Sequence, residues 1–299
     1  METIVEQVLP REVWETRAAA HAARVDRFLA PHLERREARV KHPVFDFLFT
    51  YYSFRPAQLR RWHPGYGVAL ADAPKYAGLK GYVDGAVSAS YVATQRTLVE
   101  ALHRLLTATA GRAGSFGCFG LHEWAMVYRL AEDETRHAEW PLRLGPAGTD
   151  AVVESHRIAC SHFDAYRFFT APARPLNTLS PGREDRPAHE QPACLHAGMD
   201  LYKHAFRLSP MVASELVADC FELAWDIRVL DMRAAPYDLS DLDLGDGDAW
   251  SPVRIETPAG KQEYAESQRV FAERAAPIRQ RLIAESARLL SVARTSLGA

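Results

Sequence analysis

The chain has 299 residues, of which 47% are hydrophobic and 25% charged, a composition typical of a globular protein with room for one large domain or two small ones. Its 36 Lys and Arg residues nearly balance its 38 Asp and Glu residues, and the formal net charge is −2. This balance excludes the overall basic excess of non-specific nucleic-acid binding, so any contact with DNA needs a local basic patch.

The four cysteines form no Cys-x-x-Cys pair and stand far apart in the chain, at Cys118, Cys160, Cys194 and Cys220. This spacing argues against a zinc knuckle, a thioredoxin motif and a disulfide framework, and it favours buried thiols. The first residues lack the basic and apolar stretches of a signal peptide, and no run of about eighteen apolar residues occurs. We therefore expect a cytoplasmic protein with no membrane partner.

The N-terminal part of the chain predicts two helices. Over residues 11–37, apolar residues such as Leu29 and Leu33 recur at helical spacing. Residues 43–54 are apolar and aromatic on every side, and Pro43 suits a first helical position. This second segment is therefore expected to be a buried helix.

A carboxylate and a basic, aromatic stretch accompany that buried segment. Asp46 stands four residues after His42, and a buried carboxylate needs a partner. Arginines and aromatic rings of the kind that follow can bind phosphate, stack on bases or pair with internal acids. The candidate binding residues here are Tyr51, Tyr52, Arg55, Arg60, Arg61 and Trp62.

Two further helices are predicted over residues 88–110 and 119–130. The second carries His122 and Glu123 near its start, which resembles the beginning of a zincin metalloprotease motif. Met126 stands where that motif requires a second histidine, so the motif is excluded.

The next part of the chain has weaker signals. Residues 150–169 fit either a helix or a strand, and they carry His162, Asp164 and Arg167. Residues 171–192 contain five prolines and predict a long loop, of a length often found at the wall of a site.

The centre of the chain predicts two consecutive helices, over residues 192–207 and 210–234. In the first, His196, Asp200 and His204 are spaced four residues apart, so they form a row along one helix face beside an apolar row. Ionisable side chains at the edge of a buried face are candidates for an active site.

The second central helix is expected to begin with Ser209 as its N-cap and Pro210 as its first residue. Like charges at helical spacing repel by roughly a few tenths of a kcal/mol per pair, so cations or water should lie beside them. We interpret its carboxylates either as a solvated face or as the wall of an active site. This acidic row comprises Glu215, Asp219, Glu222 and Asp226.

A last helix is predicted over residues 260–297, with Pro277 expected to kink or split it. Strand signals are sparse throughout. The segments together predict an all-α fold: a single domain, residues 1–299, built as a multi-helix bundle with few or no strands and one long proline-rich loop.

Four stretches of the sequence resemble a group of actinobacterial proteins named 3-methyladenine DNA glycosylases, and the likeness covers nearly the whole chain. This resemblance implies hydrolysis of the N-glycosidic bond of an alkylated purine in damaged DNA, after the base has been flipped into an aromatic pocket. The stretches are HPVFDFLFTYYSFRP (42–56), GCFGLHEWAMVYR (117–129), SHFDAYRFF (161–169) and CLHAGMDLYK (194–203).

The resemblance carries no catalytic residue onto this chain, so the candidates follow from the chemistry. A glycosylase needs a carboxylate to activate water, aromatic rings to hold the base and arginines to contact phosphates. The catalytic candidates are Asp46, Asp200, His122 and Glu123, and the substrate-binding candidates are Tyr51, Tyr52, Trp62, Trp124, Arg55, Arg60, Arg61 and Arg167.

The histidine row supports a different function, a metal-dependent oxidoreductase or hydrolase that acts on a small molecule. Imidazole and carboxylate ligands suit iron, manganese or zinc. The candidate ligands are His196, Asp200, His204, His162, Asp164 and Glu222, with His122, Glu123 and His137 as further ones. Since each lies at the edge of an apolar stripe, one pocket is expected to collect His122, Glu123, His162, Asp164, His196 and Asp200.

Overall fold

The computed structural model of the protein describes residues 3–131, 134, 139–242 and 250–295. The described chain is mostly helical, as predicted, and none of its helices is both long and apolar enough to cross a membrane. Its α-helices are α1 (Arg11–Glu37), α2 (Phe47–Thr50), α3 (Pro56–Arg60), α4 (Ala89–Thr94), α5 (Arg96–Ala110), α6 (Leu121–Ala125), α7 (Gly145–Glu154), α8 (Phe163–Tyr166), α9 (Arg186–His189), α10 (Leu195–Leu208), α11 (Ser214–Arg233) and α12 (Pro258–Thr295).

A small sheet accompanies these helices, with strands β1 (Gln7–Leu9), β2 (Val68–Leu70), β3 (Tyr82–Val83) and β4 (Ala86–Val87) in the order β1-β2-β4-β3. β1 and β2 are parallel, and the other pairs are antiparallel. Asp84 and Gly85 connect β3 to β4, and both have positive φ angles, 49° and 79°. This is the Asp-Gly pattern of a tight hairpin turn, the sequence signal that could have revealed the sheet.

The chain divides into two compact units: unit 1 is Met1–Thr107, Asp200–Ala224 and Pro277–Ala299, and unit 2 is Ala108–Met199 and Trp225–Ala276. Unit 1 contains the sheet and a core around Trp14, whose indole N–H donates to the Ala71 carbonyl oxygen at 2.8 Å. The single domain expected from the sequence stays a prediction.

Unit 2 has its own core, in which Trp124, Ile158 and Tyr264 are almost fully buried. Trp124 donates its indole N–H to the Ala234 carbonyl oxygen at 2.9 Å, which fixes α6 against the end of α11. The predicted long loop, residues 171–192, is largely irregular, with one 3₁₀ turn at Arg174–Leu176 and the short α9.

The helix predicted over residues 43–54 is mostly turn and is regular only in α2. Asp46 explains the difference, because its carboxylate accepts the backbone N–H of His42 at 2.8 Å. Side chains of this type compete with helical hydrogen bonds at the start of a helix. The predicted helix 88–110 is two helices, α4 and α5, and the predicted helix 119–130 is only the short α6.

The second central helix begins at Ser214, not at Pro210 as predicted. The residues before it pair with another segment, since Met211 accepts the backbone N–H of Tyr66 at 2.9 Å. Pro277 does not split the last helix, because it lies inside the continuous α12. Buried residues such as Leu282 anchor that helix beyond the proline, and their packing offsets the lost hydrogen bond.

Candidate metal centre

Three ionisable side chains from separate helices of unit 2 meet in its interior: His122 at the start of α6, His196 at the start of α10, and Asp231 near the end of α11. A glycine allows α10 and α11 to approach there. A Cβ atom on Gly198 would lie 2.7 Å from Ile227 Cδ1, closer than side chains normally pack. The small residue therefore helps to bring His196 near Asp231.

The three side chains are spaced like metal ligands. One ligand atom from each lies within 4.8 Å of the others, and His122 Nε2 is 3.0 Å from Asp231 Oδ1. The rings of His122 and His196 are nearly perpendicular, with centroids 4.5 Å apart. Metal–ligand bonds of about 2.1 Å place neighbouring ligand atoms roughly 3.0 to 3.4 Å apart, so His122 Nε2 and Asp231 Oδ1 already have the spacing of two ligands on one ion.

The hydrogen bonding of His122 and Asp231 is incomplete at the two atoms that approach each other. Neither His122 Nε2 nor Asp231 Oδ1 makes a hydrogen bond with any described residue, although the two atoms are in contact distance. Both are deeply buried, and the Asp231 side chain is 0% exposed. Buried polar atoms normally have hydrogen-bond partners, so two such atoms that lie 3.0 Å apart without one are candidates for binding a cation.

The charged groups around the centre also favour a bound cation. Arg228 donates through Nη1 to Glu123 Oε1 at 3.2 Å and to Asp231 Oδ2 at 2.9 Å. Two buried carboxylates against one guanidinium leave an excess negative charge, which is costly away from water. A proton or a metal ion must balance it.

The pKa values of these groups also reflect the excess of buried negative charge. Burial raises the pKa of Glu123, and the charge of Asp231 raises it further. Burial opposes ionisation of Asp231, but His122 holds the pKa of Asp231 below its usual range. Burial would lower the pKa of His122, yet the interactions with Asp231 and with Cys118 together outweigh burial, and that pKa lies well above its ordinary value. A proton on His122 therefore supplies the balancing positive charge, and a metal ion bound at this centre would displace it.

A small cavity of about 20 Å³ adjoins His122 and His196, enough for about one water molecule. It is largely enclosed, and its lining extends from the fully buried His162 to the half-buried Cys118 and Cys194. The cavity therefore leaves one position beside the two histidines that no protein atom fills.

No protein-family model, curated protein or solved structure matches this chain. The chemistry of the residues must therefore indicate the function.

Sequence reasoning missed two features of this centre. Asp231 lies past the acidic row of α11, and nothing in that pattern distinguished it from its neighbours. The cysteines form no Cys-x-x-Cys pair, yet three of them line the cavity, each together with a histidine two or four residues further along the chain. The overlooked pairs are Cys118 and His122, Cys160 and His162, and Cys194 and His196.

The structure brings four of the predicted site residues together, since His122, His162 and His196 line the cavity and Glu123 lies beside it. Asp164 instead pairs with Arg167 at 3.3 Å, and neither of these two lines the cavity. Of the six residues expected to lie together, four therefore do so, and Asp164 and Asp200 do not. His137 lies outside the described residues.

Asp200 belongs to unit 1, where both of its oxygens have partners. The Tyr52 hydroxyl donates to Oδ1 at 3.0 Å, and Lys203 Nζ lies 3.3 Å from Oδ2. Of the row on α10, only His196 is a ligand candidate at the centre. The physical reason is distance, because eight residues of helix span about 12 Å, and His196 and His204 cannot reach the same ion.

The acidic row of α11 is matched by arginines. Glu222, a predicted ligand, accepts hydrogen bonds from Arg24 and Arg27, so its carboxylate is already compensated. The row is therefore an ion-pair network and not the wall of a metal site. Its pairs are Glu215 with Arg17, Asp219 with Arg24 and Arg281, Glu222 with Arg24 and Arg27, and Asp226 with Arg274.

The residues predicted for a glycosylase site have separate structural roles. Trp62 and Trp124 are core residues whose indole N–H groups bond to Glu215 and to a backbone carbonyl, so neither lines a base pocket. Asp46 contacts His32 Nδ1 at 2.8 Å and Arg35 Nη2 at 3.2 Å. The others are Tyr51 and Tyr52, in ring contact with Phe47, Arg60, paired with Asp26, and Arg55 and Arg61, which are exposed.

Proposed function

We propose that this protein binds a divalent transition-metal ion through His122, His196 and Asp231 and is a metal-dependent enzyme, an oxidoreductase or a hydrolase of a small molecule. The observation that supports it most is the pair of buried ligand atoms, His122 Nε2 and Asp231 Oδ1, which lie 3.0 Å apart without a hydrogen bond between them. A purely structural His–Asp pair would orient its proton along that contact.

The ligand types define which metals fit. Two imidazoles and one carboxylate suit iron(II), manganese(II) and zinc(II), and leave further coordination positions open. A divalent ion in such a site supplies Lewis acidity to the molecule at its open position. The cavity next to the histidines provides that position.

The protein's own residues would support the ion in two ways. Arg228 holds Asp231 through Oδ2, which leaves Oδ1 directed at the centre. A partner of this kind fixes the orientation of a ligating carboxylate, and its loss typically weakens metal binding about 10- to 100-fold. Glu123 contributes negative charge, with Oε1 3.9 Å from His122 Nε2.

Elemental analysis of the purified protein tests the proposal, followed by titration of metal-free protein with iron(II), manganese(II) and zinc(II). We expect close to one ion per chain, and at least a hundredfold weaker binding in His196→Gln. His103→Gln is a matched control, because His103 contacts Ser286 and lies outside the centre. Absence of bound metal from the native protein, together with equal affinities of both variants, would contradict the proposal.

Hydrolysis of alkylated purines in DNA is the second candidate, and the resemblance of four sequence stretches favours it. The two functions separate in one assay, release of alkylated base from duplex DNA in the presence and absence of a chelator. Base release that survives complete metal removal would support the glycosylase and not the metal enzyme.

A further inference from the structure

A cleft in unit 1 carries a cluster of cations that the metal centre does not use. It lies between the end of α1 and the segment from α2 to the start of α3, and its volume is about 570 Å³. This is within the size range of pockets for small organic ligands. Its cations are Arg36, Arg39, Lys41 and Arg55.

The arginines of this cleft differ from others in the same unit. Arg17, Arg24 and Arg60 each pair with a carboxylate. In contrast, the guanidinium groups of Arg36, Arg39 and Arg55 make no ion pair with any described residue. Clustered cations repel one another, so an arrangement that brings three unpaired guanidinium groups to one cleft favours an anionic ligand.

The carboxylate in the cleft does not cancel this charge. Asp46 is already compensated by Arg35, with Nη2 3.2 Å from Oδ1, and it also contacts His32 and accepts the backbone N–H of His42. Arg36, Arg39 and Arg55 therefore keep an excess positive charge at the cleft.

The floor of the cleft is aromatic. Phe49 stacks on the ring of His32 with centroids 4.1 Å apart, and Phe54 stacks on Phe206 at 3.9 Å. Both Phe49 and Phe54 line the cleft, and each is held in place by its stacked neighbour. Such a floor can pack against a flat, apolar part of a ligand while the arginines bind its charged end.

We propose that this cleft binds a small organic phosphate with an aromatic portion, of the nucleoside phosphate class. Guanidinium groups match phosphate oxygens in charge and in geometry, and the concave, aromatic floor suits a base ring. A long duplex would instead require an extended basic surface, whereas the net charge of the chain is −2. The proposal concerns residues of unit 1 only and does not depend on the metal centre.

Isothermal titration calorimetry of the full chain with ADP, in low-salt buffer without divalent cations, tests the proposal. We expect saturable one-to-one binding that weakens at least tenfold in the double variant Arg36→Gln/Arg55→Gln and weakens as salt is raised. Arg104→Gln is the matched control, since Arg104 is an exposed arginine on α5 outside the cleft, and it should bind ADP like the native protein. Circular dichroism of the variants checks that they fold.

Two further ligands make the test decisive. Inorganic pyrophosphate should bind at least tenfold more weakly than ADP, because it has no ring to pack on Phe54. Equal binding of the two ligands would overturn the aromatic part of the proposal. No ADP binding, or tight binding of short duplex DNA that ADP does not displace, would overturn the small-ligand site altogether.

Discussion

Helix α11 carries carboxylates in two contrasting environments. In the middle of the helix, Glu222 is partly exposed, and two arginines bond to it. Near its end, Asp231 is completely buried, with one oxygen bonded to Arg228 and the other facing His122 without a hydrogen bond. Incomplete compensation of a buried charge, and not the number of acids in a row, therefore identifies the candidate site.

The largest effect is expected for Asp231→Asn, which keeps the volume of the side chain and removes its charge. Metal affinity should fall by at least about a hundredfold, because a ligand and the charge of the site are lost together. Asp226→Asn on the same helix is the control, since Asp226 is 46% exposed and pairs with Arg274. Titration of metal-free proteins measures both, and similar affinities would remove the distinction between the two environments.

Arg228→Met should destabilise the fold strongly. It leaves Glu123 and Asp231 buried without their guanidinium partner, a change that typically costs about 3 to 5 kcal/mol. Urea unfolding of metal-free protein measures the loss, and Arg274→Met at the exposed pair is the comparison. Equal stabilities of these two variants would show that the buried charges need no compensation.

Asp200→Asn tests an intermediate case, because Asp200 is a buried carboxylate with partners on both oxygens. We expect a loss of about 1 to 2 kcal/mol in unfolding free energy, as for a weakened hydrogen-bond pair, and unchanged metal content. Thermal unfolding and elemental analysis provide the two readings. If instead the fold stays intact and release of alkylated base is abolished, the glycosylase hypothesis gains its catalytic carboxylate.

The smallest effect is expected for Glu222→Gln, less than about 1 kcal/mol, because partly exposed ion pairs are screened by water. Burial alone would raise the pKa of Glu222, but Arg24 and Arg27 hold it below its usual value. The stabilisation is therefore present above the unfolded pKa of about 4.5 and is lost as the pH falls through the lower folded pKa. Urea unfolding at pH 7 and below pH 4 should show the variant and native stabilities converging, whereas a constant difference would contradict this origin.

Local periodicity predicted the long helices well. The start and end of α1 follow from its apolar spacing, and the body of α10 follows from its two parallel rows. Helix starts that depend on distant partners were not predictable in this way. Ser214 opens α11 because residues before it bond to the segment around Tyr66, a contact between residues far apart in sequence.

The candidate centre was predictable only in part for a related reason. His122, Glu123 and His196 could be selected because each stands at the edge of an apolar stripe. Asp231 could not, since only the fold shows that the acids of the row are matched by arginines, whereas Asp231 is fully buried with one oxygen bonded to Arg228 and the other beside His122. The four-residue spacing also overstated how closely the side chains of the row on α10 lie together. Side chains on successive helical turns lie at different positions along the helix axis.

The enclosed cavity has a consequence for how quickly the centre exchanges its contents. A space of about 20 Å³ admits water or a diatomic molecule, but it does not admit a multidentate chelator. Removal of an ion by such a reagent must then wait for local opening of the surrounding helices, so its rate should level off as the reagent concentration rises. The centre would release a bound metal slowly. The metal would therefore stay bound for longer than its equilibrium affinity alone implies.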